Sequence, residues 1–431
     1  MSSNLLYRIF ESEQCRVVTD SRLVAPGDIF FALKGEIFDG KKFAGDALRK
    51  GARLVVVDDH TLRGDRVIVV NDTLRELQEM ATMYRDSFNI PVLAITGTNG
   101  KTTTKELVAA VLSEKYRVHY TSGNLNNHIG VPLTILSAGS ATKFMIIEMG
   151  ANHTGEIKKL CNIAKPGYGI VTNIGLAHLE GFGSPEAVAE AKSELYRYIE
   201  EREGVIFYNG ENSQLSDIVT SLGAKAYTYL KPGSSEVCIK GRDQASALSL
   251  DIDIDGRRHR LETALFGNHN TENVLAAVAC GLYFDISPDR IVRAISGYSP
   301  LNNRSQVMVT PSNRVVCDSY NANPTSMGEA LTSFLDLEGD QKAIILGDML
   351  ELGSYSEEEH LAIVKNLEKL HDTDIYLVGP VFMKVAGNSN FRLFENVDEL
   401  NIYLSRNPIK NTFVLVKGSR GINLEKAYPF L

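Results

Sequence analysis

The sequence predicts an α/β protein of three domains: a central doubly wound, mainly parallel sheet carrying a phosphate loop, flanked by a small N-terminal α/β domain and a C-terminal Rossmann-like α/β domain. Three observations predict it. The 431 residues exceed what one core usually holds, strand-length apolar runs alternate with helical stretches, and Ala94–Thr103 passes from an apolar strand through a glycine turn into a helix.

Residues 1–88 hold short apolar runs at Asp28–Leu33, Leu54–Val57 and Val67–Val70, then a helix expected from an Asp72 cap to about Arg85. Asn89-Ile90-Pro91 breaks that pattern. In residues 89–298, strands are expected at Val92–Thr96, Phe144–Glu148, Gly169–Asn173 and Val205–Tyr208. A helix is expected over Thr102–Glu114, and a second begins at Pro185 with Ser184 as its cap. Ile295–Asn303, rich in Gly, Ser, Pro and Asn, reads as a linker. Residues 299–431 restart the alternation, with strands at Val315–Cys317, Lys342–Leu346, Asp374–Val378 and Thr412–Val416.

A net charge of −8 argues against a generally basic nucleic-acid surface, while leaving room for a local basic pocket. Cys15, Cys161, Cys238, Cys280 and Cys317 are scattered without a CxxC pair, which suits reduced thiols. No signal-peptide pattern and no run near the ~20 apolar residues of a membrane helix is present. The expectation is a cytoplasmic, monomeric protein with small-molecule partners, neither bound to nucleic acid nor integral to a membrane.

In Gly97-Thr98-Asn99-Gly100-Lys101-Thr102-Thr103, glycines let backbone N–H groups approach phosphate oxygens, and the following helix start adds positive potential. Lys101 then neutralises the outer phosphates of ATP, and the Thr102 hydroxyl is placed to ligate Mg²⁺. The loop is a variant, since Ile95 stands where the strict pattern has glycine and Gly97 supplies the early flexibility. The bland alternative is an ordinary strand-to-helix turn with a solvated lysine.

Glu148 ends an apolar strand, at the edge where open α/β sheets place ligands, and reads as a metal carboxylate or else as a cap. His178 lies just past the strand at Gly169–Asn173 and reads as a further ligand or as a packed imidazole. Lys192, within a helix, reads from composition as solvated. His269, Asn270 and Asn273 crowd the start of the apolar helix at Val274–Ala277, which suggests nucleotide contact.

Together these residues resemble the Mur ligase family, ATP-dependent ligases that build the peptide stem of bacterial cell-wall precursors, and the resemblance covers essentially the whole chain. It implies that Gly97–Thr103, His269, Asn270, Asn273, Arg304 and Asp318 bind ATP. It implies that Thr102, Glu148, His178 and a carbamylated Lys192 hold Mg²⁺, with Lys101, Lys192 and His178 catalytic. Gly123–Pro132 resembles a substrate loop of the family, implying substrate contacts from Asn124, Asn126 and Asn127. Thr19–Arg22 and Pro26–Gly35 resemble its UDP-binding segment, implying Ser21, Arg22, Lys34 and Gly35. Asp318-Ser319-Tyr320-Asn321-Ala322-Asn323-Pro324 implies that Tyr320, Asn321 and Asn323 meet substrate or nucleotide, and it favours the branch that adds D-alanyl-D-alanine to UDP-N-acetylmuramoyl-tripeptide. His128 and Lys41 depart from the family pattern, where acidic and histidine residues are common. A sister ligase, a folate polyglutamate ligase and a P-loop switch that uses ATP to change shape are the alternatives.

Overall fold

Runs of β-branched and aromatic residues form four sheets in the computed structural model, which describes residues 2–35, 38–176, 179–230, 237–244, 247–254, 256–301, 303–337, 341–387 and 389–431. In the first domain, β1 (Val17–Val18), β2 (Ile29–Phe31), β3 (Leu54–Val57) and β4 (Val67–Val69) pair in chain order, all parallel. Around them lie α1 (Ser2–Glu13), α2 (Ala44–Arg49) and α3 (Thr73–Asp86). The expected Asp72 cap is present, its side chain accepting from the Arg75 N–H at 2.9 Å.

The first domain shares one apolar cluster with the second. It runs from Leu6 and Leu77 to Ile147, Leu195 and Val219. From α3, Tyr84 Oη donates to the Ala138 carbonyl at 2.6 Å and Arg85 Nε to the Ala164 carbonyl at 2.8 Å. The break at Asn89–Pro91 therefore marks a change of sheet within a continuous core.

The central sheet runs β10-β9-β8-β5-β7-β6, every pair parallel: β5 (Val92–Thr96), β6 (Val118–Tyr120), β7 (Phe144–Glu148), β8 (Tyr168–Val171), β9 (Val205–Asn209) and β10 (Ala226–Tyr229). After β5 the chain runs out to the edge strand β6, returns to β7 beside β5, then crosses to β8 on the other side of β5. That reversal opens a crevice at the carboxyl ends of β5, β7 and β8. Its helices are α4 (Lys101–Ser113), α5 (Gly130–Leu136), α6 (Glu156–Ala164), α7 (Leu179–Phe182), α8 (Pro185–Glu200) and α9 (Ser213–Leu222).

Sequence places β8 over Gly169–Asn173, but its ladder stops at Val171. Thr172 and Asn173 leave it because they wrap the phosphate loop. Thr172 Oγ1 donates to the Asn99 carbonyl at 2.6 Å, and Asn173 Oδ1 accepts from the Asn99 N–H at 2.8 Å.

A three-stranded antiparallel sheet follows, β11 (Val237–Gln244), β12 (Leu248–Ile254) and β13 (Arg257–Glu262). The alternation of Leu248, Leu250, Ile252 and Ile254 with polar residues carries its buried face, a signal the reading for parallel strands passes over. Then come α10 (Asn270–Tyr283) and α11 (Pro288–Ser296), the latter taking two residues of the expected linker.

The C-terminal sheet runs β14-β15-β19-β16-β17-β18: β14 (Gln306–Val309), β15 (Asn313–Asp318), β16 (Gln341–Gly347), β17 (Thr373–Val378), β18 (Arg392–Phe394) and β19 (Thr412–Lys417). All pairs are parallel except the antiparallel edge strand β14. It is flanked by α12 (Pro324–Leu335), α13 (Ser356–Leu367), α14 (Pro380–Val385) and α15 (Val397–Arg406). Among the described residues no helix is long and apolar enough to cross a membrane.

One buried hydroxyl fixes α8 on the central sheet. Tyr196 Oη accepts from the Val171 N–H of β8 and donates to the Phe207 carbonyl of β9, both at 3.0 Å. Lys192 lies one turn earlier on the same face. Tyr196→Phe strands a buried N–H and a buried carbonyl, so it should destabilise the chain by about 1–3 kcal/mol. Chemical denaturation checks this, and an unchanged midpoint would contradict the anchor.

Candidate active site

The phosphate loop takes its shape from two glycines. Gly97 has φ 141°, and a Cβ there would meet Thr172 Oγ1 at 2.0 Å. Gly100 has φ 77°, and a Cβ there would meet Asn273 Oδ1 at 2.3 Å. Both positions combine a left-handed backbone with no room for a side chain. From Gly100 the chain enters α4, whose first-turn N–H groups have no intrahelical partner and face the crevice.

Lys101 folds over the loop, donating to the Gly97 carbonyl at 2.7 Å and the Thr98 carbonyl at 2.9 Å. Burial pulls its ammonium down to about 8; Glu148 opposes the shift and Arg304 adds to it. Thr98 and Gly175 exchange hydrogen bonds through the Thr98 hydroxyl, at 3.2 and 2.9 Å, so the turn after β8 holds the loop from the far side.

At the end of β7, Glu148 is 1% exposed. Its Oε1 accepts from Thr102 Oγ1 at 3.1 Å and Asn126 Nδ2 at 2.8 Å. Its own N–H donates to Thr121 Oγ1 at 2.9 Å. Oε2 is buried with no hydrogen-bond partner among the described residues. A hydroxyl beside a carboxylate with a free buried oxygen is an all-oxygen donor set, which fits Mg²⁺ carried in by phosphates. No cluster of three or more His, Cys, Asp and Glu that could hold a metal exists among the described residues. His178 lies outside the described residues.

Lys192 is not solvated, as helical composition suggests; it is 1% exposed. Its Nζ lies 5.6 Å from the centroid of the Phe182 ring. Burial, and after it the charge of Lys101, bring the amine down to about 7, with Glu156 and Glu194 opposing. Such a lysine gives up its proton far more readily than an exposed one and so can offer its nitrogen lone pair.

The motif at the start of α10 is turned largely inward. Asn273 Oδ1 accepts from Thr104 Oγ1 at 3.0 Å, and Asn273 Nδ2 donates to Asn270 Oδ1 at 2.9 Å. Asn270 Nδ2 donates to the Phe266 carbonyl at 2.7 Å. These amides stitch α10 to α4 and so set the loop, while their edges line the cleft. His269 lies 3.1 Å from Ser305 Oγ, and burial pushes it down to about 4, against the pull of Asp318, so the ring is neutral.

The C-terminal domain closes the crevice. Asp318 Oδ1 accepts from the Ser305 N–H at 2.9 Å, and Oδ2 accepts from Lys417 Nζ at 2.6 Å. The Arg304 guanidinium lies 3.7 Å from the centroid of the Tyr320 ring, and Arg420 lies 5.4 Å from the same centroid. Asn323 caps α12 and reaches across the domains, its Nδ2 donating to Asn99 Oδ1 at 2.7 Å.

One cleft of about 1130 Å³ gathers Thr98–Thr103, Asn124, Asn126, Asn127, Glu148, His269, Asn270, Asn273, Arg304, Asp318, Tyr320, Asn321 and Asn323. Gly97 and Lys192 are not part of its lining. Asn127 shapes its loop, with Oδ1 accepting from the Ile129 and Gly130 N–H groups at 3.1 and 2.9 Å. Ser21 and Arg22 line a separate cavity of about 470 Å³ beside Phe38 and Phe43, whose rings stack at 5.1 Å. There Asp20 holds the Arg22 guanidinium at 2.6 Å. The backbones of Lys34 and Asp39 form an isolated antiparallel bridge, and the Gly35 N–H donates to the Phe38 carbonyl at 2.7 Å, so both residues help to position Phe38. Asn173, Thr121, Ser305 and Lys417 are missed by sequence reasoning; Asn173 and Lys417 could have been found as polar residues at the carboxyl ends of strands.

Comparison with known proteins agrees along the whole chain. Family models match at residues 16–96 (Mur ligase family, catalytic domain), 95–281 (Mur ligase middle domain) and 303–420 (Mur ligase, glutamate ligase domain). The UDP-N-acetylmuramoyl-tripeptide–D-alanyl-D-alanine ligase of Bacillus subtilis (strain 168) is 34% identical over 422 residues, covering 95% of this chain and 91% of that one. A crystal structure of MurF from Acinetobacter baumannii superimposes with a TM-score of 0.87 at 28% identity, covering 97% of this chain and 96% of that one. MurF ligase from Thermotoga maritima, in complex with ADP, gives 0.86 at 26% identity, with 96% of both chains covered.

Proposed function

The chain belongs to the Mur ligase family, and we propose that it joins D-alanyl-D-alanine to the terminal carboxylate of UDP-N-acetylmuramoyl-tripeptide, using ATP, in cytoplasmic peptidoglycan precursor synthesis. The observation that carries this reading is the meeting of a phosphate loop, a buried strand-end carboxylate and a closing C-terminal domain in one cleft, in a chain alike over 95% of its length to a ligase of that name.

A carboxylate oxygen of the tripeptide attacks the γ-phosphorus of ATP, and the bond to the ADP oxygen breaks. The amine of D-alanyl-D-alanine then attacks the acyl carbon. Its proton leaves, and inorganic phosphate departs with the oxygen that came from the tripeptide. Little covalent work falls to the protein, so alignment and charge neutralisation carry the rate. Lys101 swings from the loop carbonyls onto the outer phosphates, and the α4 N–H groups donate to them. Arg304 and Asp318 receive the nucleoside side of ATP from the C-terminal domain. Thr102 and Glu148 would hold Mg²⁺, which when bound draws charge off the phosphate oxygens as a Lewis acid. Closure of the Asn99–Asn323 contact keeps water from the acyl phosphate.

The first domain takes the uridine end in the cavity beside Ser21, Arg22 and the stacked Phe38–Phe43 pair, and the Asn124–Asn127 loop carries the chain of the substrate toward Glu148. Lys192 acts as a carbamate: its neutral amine attacks the carbon of CO₂, an N–C bond forms, an N–H proton leaves, and a buried cation becomes an anion. The enzyme works as a monomer on small-molecule substrates.

Phosphate release that requires tripeptide and D-alanyl-D-alanine together tests the reaction. Lys101→Ala should abolish it in a folded protein, and release without the amine would point instead to a P-loop switch. Lys192→Ala should lose most of its activity and regain part of it with acetate at fixed ionic strength, because acetate returns an oxygen anion to the vacated space. Full activity without acetate would exclude an essential Lys192.

A further inference from the structure

We propose that Lys105 is a fixed counter-ion behind the metal position, and that it makes loading of the divalent cation depend on the nucleotide. The inference rests on the reading of Thr102 and Glu148 as the metal-binding pair.

Lys105 lies on α4 one turn beyond Thr102, so both side chains leave the same face. It is 1% exposed, in a residue class almost never fully buried unless paired. Its Nζ donates to the Thr121 carbonyl at 2.7 Å and lies 5.6 Å from the centroid of the Tyr120 ring. It stands 3.7 Å from Glu148 Oε2 and 3.8 Å from Glu106 Oε1. It does not line the cleft, so it does not reach the nucleotide.

The separation from Oε2 decides the role. At 3.7 Å the ammonium is too far to take a lone pair of that oxygen, yet close enough to act on its charge. Oε2 therefore stays available to a cation arriving from the cleft, and the carboxylate meets that cation already half neutralised from behind. A bare dication gains one carboxylate and is repelled by Lys105 across it, and by Lys101 nearby. A dication that arrives on ATP brings phosphate charge that outweighs both lysines. The same residue thus keeps the buried carboxylate balanced and biases the site toward the metal–nucleotide complex.

Binding of Mn²⁺ to the full chain, read from the paramagnetic resonance signal of the free ion, tests this with and without a non-hydrolysable ATP analogue. Lys105→Met should tighten nucleotide-free Mn²⁺ binding by at least about tenfold and shrink the enhancement that the analogue gives. Lys105→Gln keeps a donor for the Thr121 carbonyl without the charge, and it should behave alike if the methionine variant folds poorly. Unchanged or weaker nucleotide-free binding in a folded variant would overturn the proposal. Glu148→Gln distinguishes the two levels. If it leaves Mn²⁺ binding with the analogue unchanged, the metal-pair reading falls and the proposal with it. An effect of Glu148→Gln without any effect at Lys105 overturns the proposal alone.

Discussion

The carboxylate of Glu148 is almost wholly buried where it borders the cleft, and much of the central domain is arranged around it. An ionised carboxylate taken out of water loses several kcal/mol of solvation unless partners replace it. Here they come from three directions. Thr102 from α4 and Asn126 from the loop after β6 share Oε1, and Lys105 stands behind Oε2, while the Thr121 hydroxyl holds the residue's backbone N–H. The parallel sheet makes this possible, because pairing of β5 with β7 brings Ile95 level with Glu148 and so sets the phosphate loop beside the carboxylate.

The other domains act on the same point from outside. The first domain is continuous with the central core, which suits a part that holds one end of a long substrate at a fixed distance. The C-terminal domain meets the central one through polar contacts, with Asn323 on Asn99 and Ser305 beside His269, and through Phe266, which is buried against Phe334 and Phe413 of the C-terminal core. The polar contacts exchange with water at small net cost, while the buried ring ties the two cores together. The Glu180 N–H on the Glu351 carbonyl, at 3.4 Å, adds a further crossing between the same two domains.

Much of this was legible in the sequence, for identifiable reasons. The phosphate loop declares itself because its glycines, lysine and threonine must follow one another on a strand-turn-helix. Glu148 was legible because strand ends in parallel sheets face the crevice. What could not be read was which partner each polar side chain takes. Asn126 sits in a loop that reads as substrate-facing, yet its amide is bound to Glu148. Asn270 and Asn273 read as nucleotide contacts, and their amides serve first to fix α10 against α4. Lys105 looks like any helical lysine until β6 is laid beside it, because its burial depends on a strand more than ten residues away. The antiparallel sheet at β11–β13 shows in the sequence as strict alternation along β12 alone, and one alternating strand does not name its partners.

The account turns on the cleft making an acyl phosphate, and the fate of one oxygen tests that directly. Both oxygens of the tripeptide's terminal carboxylate are labelled with the heavy isotope, a single turnover is run with ATP and D-alanyl-D-alanine, and the released phosphate is weighed by mass spectrometry. The account predicts that each phosphate carries one heavy oxygen, taken from the carboxylate when the amine displaces it. Unlabelled phosphate, formed alongside the amide product, would contradict it.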